Sequence, residues 1–418
     1  MVTENNTNTC NFCSVVAQAN GDDPIGSAPT VDHWILIERP QPWAPNWLQD
    51  DPVVQPILTC LRGLLRQSLK IKLVAIAPDK EYSTPDHTRV IYYRRPAQRF
   101  TTYKKYDYVV PDAETTALLS TILAYVPNAS YYRSTTQCST HALLLQEEVN
   151  ASEAFALGRY ESYRHDTTHI RDILVCTHGN VDAACARFGF PIYKALRQRS
   201  TEQGSHSQRL RAWRCSHFGG HQYAPTLLDF PDGRCWGHLT MEALDAIVEQ
   251  TGNPAEVYPH YRGWAGLEKF EQIAEREIWL REGWQWFAAP KAGRILKRQA
   301  SLVQRILWPI LERIPIFLVK RWVKRSQQDA QWTKVRIEFD GVRHGKAWDE
   351  TYYDATVAIA DQVMTAIHSQ PTKGQPPSQE MPLVPINRYC VRELSNGGPS
   401  GSSQPGVSSG LLFDRNSR

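Results

Sequence analysis

The chain has 418 residues, with 47 Lys and Arg against 43 Asp and Glu, giving a formal net charge of +4. This balance excludes a histone-like protein that coats nucleic acid, and a composition of 42% hydrophobic and 10% aromatic residues excludes wholesale disorder. The polar N-terminus shows no basic region followed by an apolar stretch, so we expect a cytoplasmic protein. Nine cysteines at irregular spacings do not resemble a disulfide framework, and some are candidate metal ligands.

The N-terminal part, residues 1–160, is predicted to form one α/β unit. Its order is strand, helix, three further strands and a second helix, read from the hydrophobic period and the turn residues. The predicted elements are a strand at 33–38, a helix at 53–69, strands at 72–77, 89–94 and 101–110, and a helix from residue 112.

Residues 161–255 are predicted to repeat that order in a second α/β unit with a mixed sheet. The turn at 231–233, Pro-Asp-Gly, is a strong hairpin signal, and Thr240 is a plausible N-cap for the last helix. We interpret both units as thioredoxin-like, within the α/β (α+β) class. The predicted elements are a strand at 172–176, a helix at 185–197, a strand at 210–214, a hairpin at 226–239 and a helix at 240–250.

The C-terminal third is predicted to be a basic helical extension, 256–368, followed by a tail. A Trp-rich helix is expected at 258–287, a short strand at 333–339 and a further helix at 356–368. Residues 369–418 contain seven Pro, six Gly and nine Ser with little apolar periodicity, which predicts a disordered tail.

Positive charge is concentrated between residues 291 and 325, where ten basic residues accompany one acid, Glu312. Apolar residues recur there at three- and four-residue steps, which predicts an amphipathic helix. Charges interrupt every apolar run too early for a membrane span. The helix either packs on the body with its basic face in water or docks an acidic partner or an anionic membrane surface. Nucleic-acid binding is not expected, because no recognition motif accompanies the charge.

Two cysteines and two histidines form the most informative pattern in the chain. Cys176 ends a predicted strand and Cys185 begins a predicted helix, so the loop between them can fold back and bring two thiolates to one metal. His217 and His221 lie about thirty residues further along the chain. Gly219 and Gly220, between the two histidines, are candidate residues of the site, because they remove side chains and permit a tight loop.

Two thiolates and two imidazoles make a ligand set for either zinc or a 2Fe-2S cluster. Zinc sites usually use cysteines that are two to four residues apart, whereas eight residues separate Cys176 from Cys185. Ligation of one iron by two histidines is known from Rieske centres and raises the reduction potential. The cluster is therefore favoured, and zinc remains the alternative.

At these residues the chain resembles the thioredoxin-like 2Fe-2S ferredoxins, and more closely the sucrase/ferredoxin-like family, which includes fungal actin-patch-distribution-type proteins. The resemblance rests on Cys-x8-Cys, on the His-x-Gly-Gly-His motif at 217–221, and on the stretches 224–233 and 236–240; a family-like opening runs from Cys13 to Ala28. It spans roughly residues 10–255. We interpret the first unit, 1–160, as a degenerate thioredoxin-like unit without ligands.

The resemblance implies a redox protein with Cys176 and Cys185 on one iron and His217 and His221 on the other. Because each imidazole keeps a second nitrogen, we expect electron uptake to be coupled to proton uptake. No dinucleotide fingerprint follows a strand, so electrons are expected from a separate reductase. An electron carrier is expected rather than a stand-alone enzyme, and no carboxylate pair supports a glycosidase.

The remaining candidates have weaker signals. Cys215, two residues before His217, competes as a ligand, although strand alternation favours a place in the core. His178 is a candidate for contact with the ligands from the loop. Cys10 and Cys13 form a C-x-x-C, which we interpret as incidental cysteines in a loosely packed arm rather than a redox dithiol.

Overall fold

In the computed structural model, residues 11–135, 157–202, 210–299, 311, 322–323, 326–340, 342–343, 346–347, 351–370 and 381–397 are described. Among these residues, no helix combines the length and the apolar composition needed to cross a bilayer. The N-terminal half contains strands β1 (His33–Glu38), β2 (Ile71–Ile76), β3 (His87–Arg94) and β4 (Lys104–Pro111), with helices Cys13–Ala19, Trp47–Asp50, Leu58–Arg66 and Thr115–Thr135.

The four strands of the N-terminal half are neighbours in one sheet. β1 lies parallel to β2 and antiparallel to β3, which in turn pairs with β4. The second half contains β5 (Arg164–His165), β6 (Arg171–Cys176), β7 (Leu210–Cys215), β8 (Leu227–Phe230), β9 (Arg234–Trp236) and β10 (Tyr261–Trp264), with helices Ala183–Glu202, Met241–Glu249, Pro254–Val257 and Lys269–Glu282.

The second half repeats the arrangement of the first. β6 lies parallel to β7 and antiparallel to β8, which pairs with β9. Thr240 is the N-cap of the helix Met241–Glu249, and its side chain accepts a hydrogen bond from the N–H of Ala243. The fold is thus a mixed α/β structure of the α+β class, as predicted, and its assignment as thioredoxin-like stays a prediction.

The two halves share one ten-stranded sheet, in which β4 pairs with β5 and β2 meets β7 at one pair of residues. Ile76 at the end of β2 pairs with Cys215 at the end of β7 in an antiparallel bridge. The order across the sheet is β10-β9-β8-β6-β7-β2-β1-β3-β4-β5. The predicted unit boundary near residue 160 therefore falls between strands that share a sheet, and the domain boundaries themselves stay predictions.

A core shared by both halves explains why all six residues of β1 are buried. Trp34 and Leu36 pack against residues of β6, β7 and β8, whereas Ile35 and Ile37 pack against the helices Leu58–Arg66 and Thr115–Thr135. Because alternate side chains of a strand point to opposite faces, both faces of β1 are covered. The second half is therefore held against the first by packing as well as by the strand bridge.

A buried ionic cluster also ties the halves together. Asp172 on β6 accepts hydrogen bonds from Arg211 at 2.7 Å and from the hydroxyl of Tyr93 on β3, and it pairs with Lys105 on β4 at 2.5 Å. Burial alone would raise the pKa of Asp172, but the charges of Arg211 and Lys105 hold it well below its usual range. The carboxylate is ionised and fully partnered, as a buried charge must be.

The C-terminal extension is a sheet rather than the predicted helices. A helix is predicted at 356–368, yet residues 356–366 belong to a strand, with Tyr353, Ala355 and Val357 buried at alternate positions. Four strands build this sheet: β11 (Lys291–Arg298), β12 (Trp332–Phe339), β15 (Thr351–Ala366) and β16 (Leu383–Gly397). Their order across the sheet is β11-β12-β15-β16. Two short strands, β13 (Val342–Arg343) and β14 (Lys346–Ala347), pair with each other.

Two further predictions for this region are corrected by the same sheet. The basic stretch 291–325 begins as the strand β11 rather than as a helix, because its residues pair with β12; most of residues 300–325 lie outside the described part of the chain. Arg294 and Lys297 are not buried, so docking of an acidic partner or membrane stays a prediction. The predicted disordered tail contains β16, which forms the edge of the sheet and pairs with β15.

The Trp-rich segment is divided into four elements. The predicted helix 258–287 is replaced by a short 3-10 helix, Tyr258–His260, by β10, by the helix Lys269–Glu282 and by a second 3-10 helix, Trp284–Ala288. Gly263, with a φ of 126°, accompanies a register shift where β10 pairs with β9.

Candidate metal centre

Cys176 and Cys185 are placed by a strand and by the helix that comes after it. Cys176 is the last residue of β6, and Cys185 lies in the first turn of the helix Ala183–Glu202. Asp182 precedes this helix, and its carboxylate accepts a hydrogen bond from the N–H of Ala184 at 2.9 Å. Both thiols are fully buried, and the loop between them folds back as the sequence predicted.

His217 joins the two thiols from the loop after β7. Its Nδ1 lies 3.9 Å from Sγ of Cys176 and 3.9 Å from Sγ of Cys185. The three donor atoms lie within 4.8 Å of one another, which is close enough for a metal centre. His217 is half-buried, so the imidazole forms the solvent side of this group.

His221 lies beside these three residues but belongs to a second group of possible metal donors, which consists of Cys13, Asp182 and His221. Its ring centroid is 5.3 Å from that of His217. Nδ1 of His221 lies 3.4 Å from Oδ2 of Asp182 and 3.5 Å from Sγ of Cys13. The four predicted ligands are therefore neighbours, with three of them in one group and His221 at its edge.

Cys13 is part of this arrangement, which corrects the interpretation of an incidental cysteine in a loose arm. It begins the helix Cys13–Ala19 and is fully buried, because that helix packs on the segment around His221. Its N–H donates to Oγ of Ser369 at 3.0 Å. Ser369 lies just after β15, so segments from both ends of the chain reach the second group. Cys10 lies outside the described residues.

The loop that carries both histidines is fixed by two cations, the buried Arg262 and the half-buried Lys72. Gly219 and Gly220 have φ values of 115° and 77°, in the region that favours glycine. A Cβ at Gly220 would overlap the guanidinium of Arg262, which donates to the carbonyl of Gly219 at 3.0 Å. Nζ of Lys72 donates to the carbonyl of Phe218. Because the two glycines have no side chains, the positive groups of Arg262 and Lys72 can lie directly against the loop.

His178 supports the loop from the first turn after β6. Its Nδ1 accepts a hydrogen bond from the N–H of His217 at 3.2 Å, so its Nε2 carries the proton and donates to the carbonyl of Trp43 at 3.1 Å. Burial lowers the pKa of His178, which favours this neutral form. The loop after β1, which contains Trp43, therefore holds the ligand loop in place.

Cys215 belongs to neither group of donors, although it pairs with Cys176 across β6 and β7. It is fully buried in the core, and burial raises the pKa of its thiol well above the usual range. The other described cysteines, Cys60, Cys235 and Cys390, also belong to neither group.

The protonation of the site is set by hydrogen bonding and burial. Hydrogen bonding from the thiol of Cys185 and from His217 holds the pKa of Cys176 below its usual range, so Cys176 is the first of the two to become a thiolate. Burial lowers the pKa of His221 to about 4 and keeps its ring neutral at pH 7. Burial also raises the pKa of Cys13 to about 12, so this thiol stays protonated. A thiolate and neutral imidazoles are the forms that bind metals.

Several residues of the site were not found by sequence reasoning. Asp182 has the local signal of an N-cap residue before a helix, and Cys13 stands in a C-x-x-C motif. Ser369, Arg262 and Lys72 have no signal that links them to the ligands, since they reach the site only through the fold.

The fold and the donor groups define a mixed α/β protein with a candidate metal centre of cysteine and histidine. The chain belongs to the sucrase/ferredoxin-like family, whose model matches residues 24–263. Neither the curated proteins nor the solved structures include a match to it. The family match contains all four predicted ligands and Asp182, whereas Cys13 and Ser369 lie outside it.

Proposed function

We propose that the chain is an electron-transfer protein that holds a 2Fe-2S cluster at Cys176, Cys185, His217 and His221. The observation that carries this proposal is the meeting of two fully buried thiols with His217, in a chain of the sucrase/ferredoxin-like family. When bound, the cluster supplies one-electron redox chemistry.

The donor set fits such a group in type and in surroundings. Thiolates are the usual ligands of such clusters, and two imidazoles replace two of them in centres of the Rieske type. Two cations, Lys72 and Arg262, lie behind the loop that carries the candidate ligands. Burial lowers the pKa of both, and the negative charge of a Cys176 thiolate raises it. Positive charge there favours deprotonated thiols. Burial lowers the pKa of Lys72 to about 8, which still leaves it mostly protonated at pH 7.

The division of the ligands supports two metal ions rather than one. A single zinc ion takes all its donors around one centre, whereas a two-iron cluster divides four ligands between its irons. His221 is not among the donors that meet at Cys176 and Cys185, although its ring is next to that of His217. A group of two metal ions, which is wider than a single ion, would reach both His221 and the three donors around Cys176.

The exposure of the ligands supports electron exchange on the histidine side. Cys176 and Cys185 are fully buried, whereas His217 is half-buried. The exposed ring of His368 stacks on His221 with a centroid distance of 4.8 Å. We propose that a separate reductase approaches at this face, since the sequence shows no dinucleotide fingerprint.

Proton coupling is part of the proposal. If His217 and His221 held such a cluster, the negative charge gained on its reduction would raise the proton affinity of the imidazole nitrogen of each that is not a ligand. The charged and titratable groups that face His221 are Asp182, Cys13, His217, His368 and Arg262. The midpoint potential is expected to fall with rising pH between about 6 and 10. A flat profile over that range contradicts the coupling.

A zinc site is the second candidate, and one observation favours it. Cys176, Cys185 and His217 alone resemble the two-cysteine, one-histidine set of zinc enzymes, with a position left for a fourth donor. In that case the protein is a non-redox binding protein in which the ion fixes the loop.

Anaerobic purification followed by iron, sulfide and zinc analysis separates the two candidates. The cluster predicts equal amounts of iron and sulfide, visible absorption that dithionite bleaches, and a paramagnetic signal from the reduced protein. A colourless protein loaded with zinc would overturn the redox proposal.

A further inference from the structure

We infer that Asp182 is a positioning residue that turns His221 so that Nε2 binds the metal, and that its charge lowers the reduction potential of the centre. The inference rests on the proposed function. It concerns a carboxylate that the ligand motif does not include.

The contact at Nδ1 of His221 carries the inference. Oδ2 of Asp182 lies 3.4 Å from this nitrogen, and both residues are buried. A histidine that binds a metal through one nitrogen usually donates the other N–H to a carboxylate, which fixes the ring and its tautomer. With Nδ1 directed at Asp182, Nε2 is the nitrogen left to bind metal.

Asp182 is itself held in a fixed orientation. Oγ of Ser369 donates to Oδ1 at 2.6 Å, and the N–H of Ser369 donates to Oδ2 at 2.9 Å. The N–H of Ala184 donates to Oδ1 at 2.9 Å. Three donors on one carboxylate restrict its rotation, so the position of Nδ1 is fixed as well.

The support for Asp182 comes from parts of the chain outside the family match. Ser369 lies just after β15, and Cys13, whose Sγ lies 3.6 Å from Oδ1 of Asp182, begins the first described helix. The family match begins at residue 24 and ends at residue 263. The C-terminal sheet and the N-terminal helix are thereby connected to the candidate ligand His221.

The first variant is Asp182→Asn, which removes the charge and keeps the shape. Asparagine is also a good N-cap, so the helix Ala183–Glu202 keeps its cap. Loss of a buried negative charge favours the reduced, more negative cluster. We expect the ratio of reduced to oxidised protein at a fixed potential to rise about tenfold, which is about 59 mV for a one-electron couple.

The second variant, Ser369→Ala, has the opposite expected sign. It removes the hydroxyl that partly offsets the charge of Asp182, so the carboxylate acts more strongly on His221. We expect the ratio of reduced to oxidised protein at a fixed potential to fall severalfold. A purely structural role for Asp182 predicts no such pair of opposite shifts.

The experiment compares full-length wild type, both variants and Asp166→Asn, which removes an exposed carboxylate and controls for net charge. Potentials are measured by redox titration, and pulsed paramagnetic resonance on protein labelled with 15N-histidine reads the two iron-bound nitrogens. Opposite shifts, with a changed coupling at one of the two nitrogens in Asp182→Asn, support the inference.

The results also distinguish the inference from the function on which it rests. If wild type holds no iron, the proposed function fails. If wild type holds the cluster and neither Asp182→Asn nor Ser369→Ala shifts the potential beyond Asp166→Asn, the positioning role is overturned. If Asp182→Asn does not fold, Ser369→Ala decides alone by the sign of its shift.

Discussion

Gly189 lies directly against the carbonyl oxygen of Cys176. It is the second-turn glycine of the helix Ala183–Glu202, and a Cβ at this position would overlap that oxygen and approach Val175. The close approach sets how near the helix, and with it Cys185, lies to the end of β6. Gly189 therefore acts on the distance between the two thiols.

Gly189→Ala is expected to destabilise the protein and to reduce metal loading. The added methyl must displace the helix or the strand end, at a cost of about 1–3 kcal/mol. Thermal unfolding and metal analysis measure the two effects. Gly63→Ala is the matched control, because Gly63 lies in the corresponding helix Leu58–Arg66 with nothing within 4 Å of an added Cβ. It should be neutral or slightly stabilising; equal effects of both substitutions would contradict this role of Gly189.

Cys176→Ser and Cys185→Ser are each expected to abolish metal binding. Serine is a poor ligand for iron or zinc in place of a thiolate, and both positions are fully buried within one donor group. Iron and zinc content per chain measures the loss. Cys215→Ser is the control, since Cys215 is equally buried but belongs to neither group. A variant at Cys215 that loses metal while Cys176→Ser retains it would show that the ligand is assigned to the wrong cysteine.

His217→Cys is expected to keep a cluster and to lower its reduction potential. A thiolate donates more charge to iron than a neutral imidazole does, and His217 already lies 3.9 Å from both thiols. Redox titration measures the shift, and the pH dependence of the potential should weaken in the same variant. Unchanged potential and unchanged pH dependence would mean that His217 does not bind the cluster.

Strands β1 to β4 and β6 to β9 were predictable because they carry strong local signals, whereas the two-residue β5 was not predicted and β10 was predicted as part of a helix. The hairpin turn at 231–233 and the cap at Thr240 fix the end of the second unit, and the uniformly buried β1 is typical of a strand with both faces covered. What could not be predicted is that Ile76 and Cys215 join the halves, because the contact depends on how the two units pack.

The C-terminal sheet was missed for a different reason. Val357 and Ile359 have the spacing of a strand, but Val357, Ala360 and Met364 also have the spacing of a helix face. Pairing with β12 and β16 decides between them, and neither partner is adjacent in sequence. The candidate ligands Cys176, Cys185 and His217 could be proposed from their motif, whereas Ser369 is 187 residues from Asp182 and has no local signal.

Lys291 is expected to make stability rise with pH, because its charge is buried without a hydrogen bond. Among the described residues Nζ has no hydrogen-bond partner, and it lies 5.2 Å and 5.0 Å from the ring centroids of Trp264 and Trp286. Burial, assisted by the nearby Arg234 charge, lowers its pKa from 10.5 to about 7. The cation–π contacts offset only part of this cost.

Between about pH 7 and 10.5 the unfolded chain binds a proton at Lys291 that the folded chain does not, so the free energy of unfolding rises with pH in this window. The contribution is about 1.4 kcal/mol per pH unit at most. Below about pH 7 both states are protonated, and the full cost of burying the charge is present.

Lys291→Met should therefore stabilise the protein most at pH 6 and remove the rise of the unfolding free energy with pH, as measured by urea unfolding at pH 6, 8 and 9.5. Lys297→Met, at an exposed position of the same strand, is the matched comparison. If the unfolding free energy rises equally with pH in Lys291→Met and in wild type, the folded protein does not lower the pKa of Lys291.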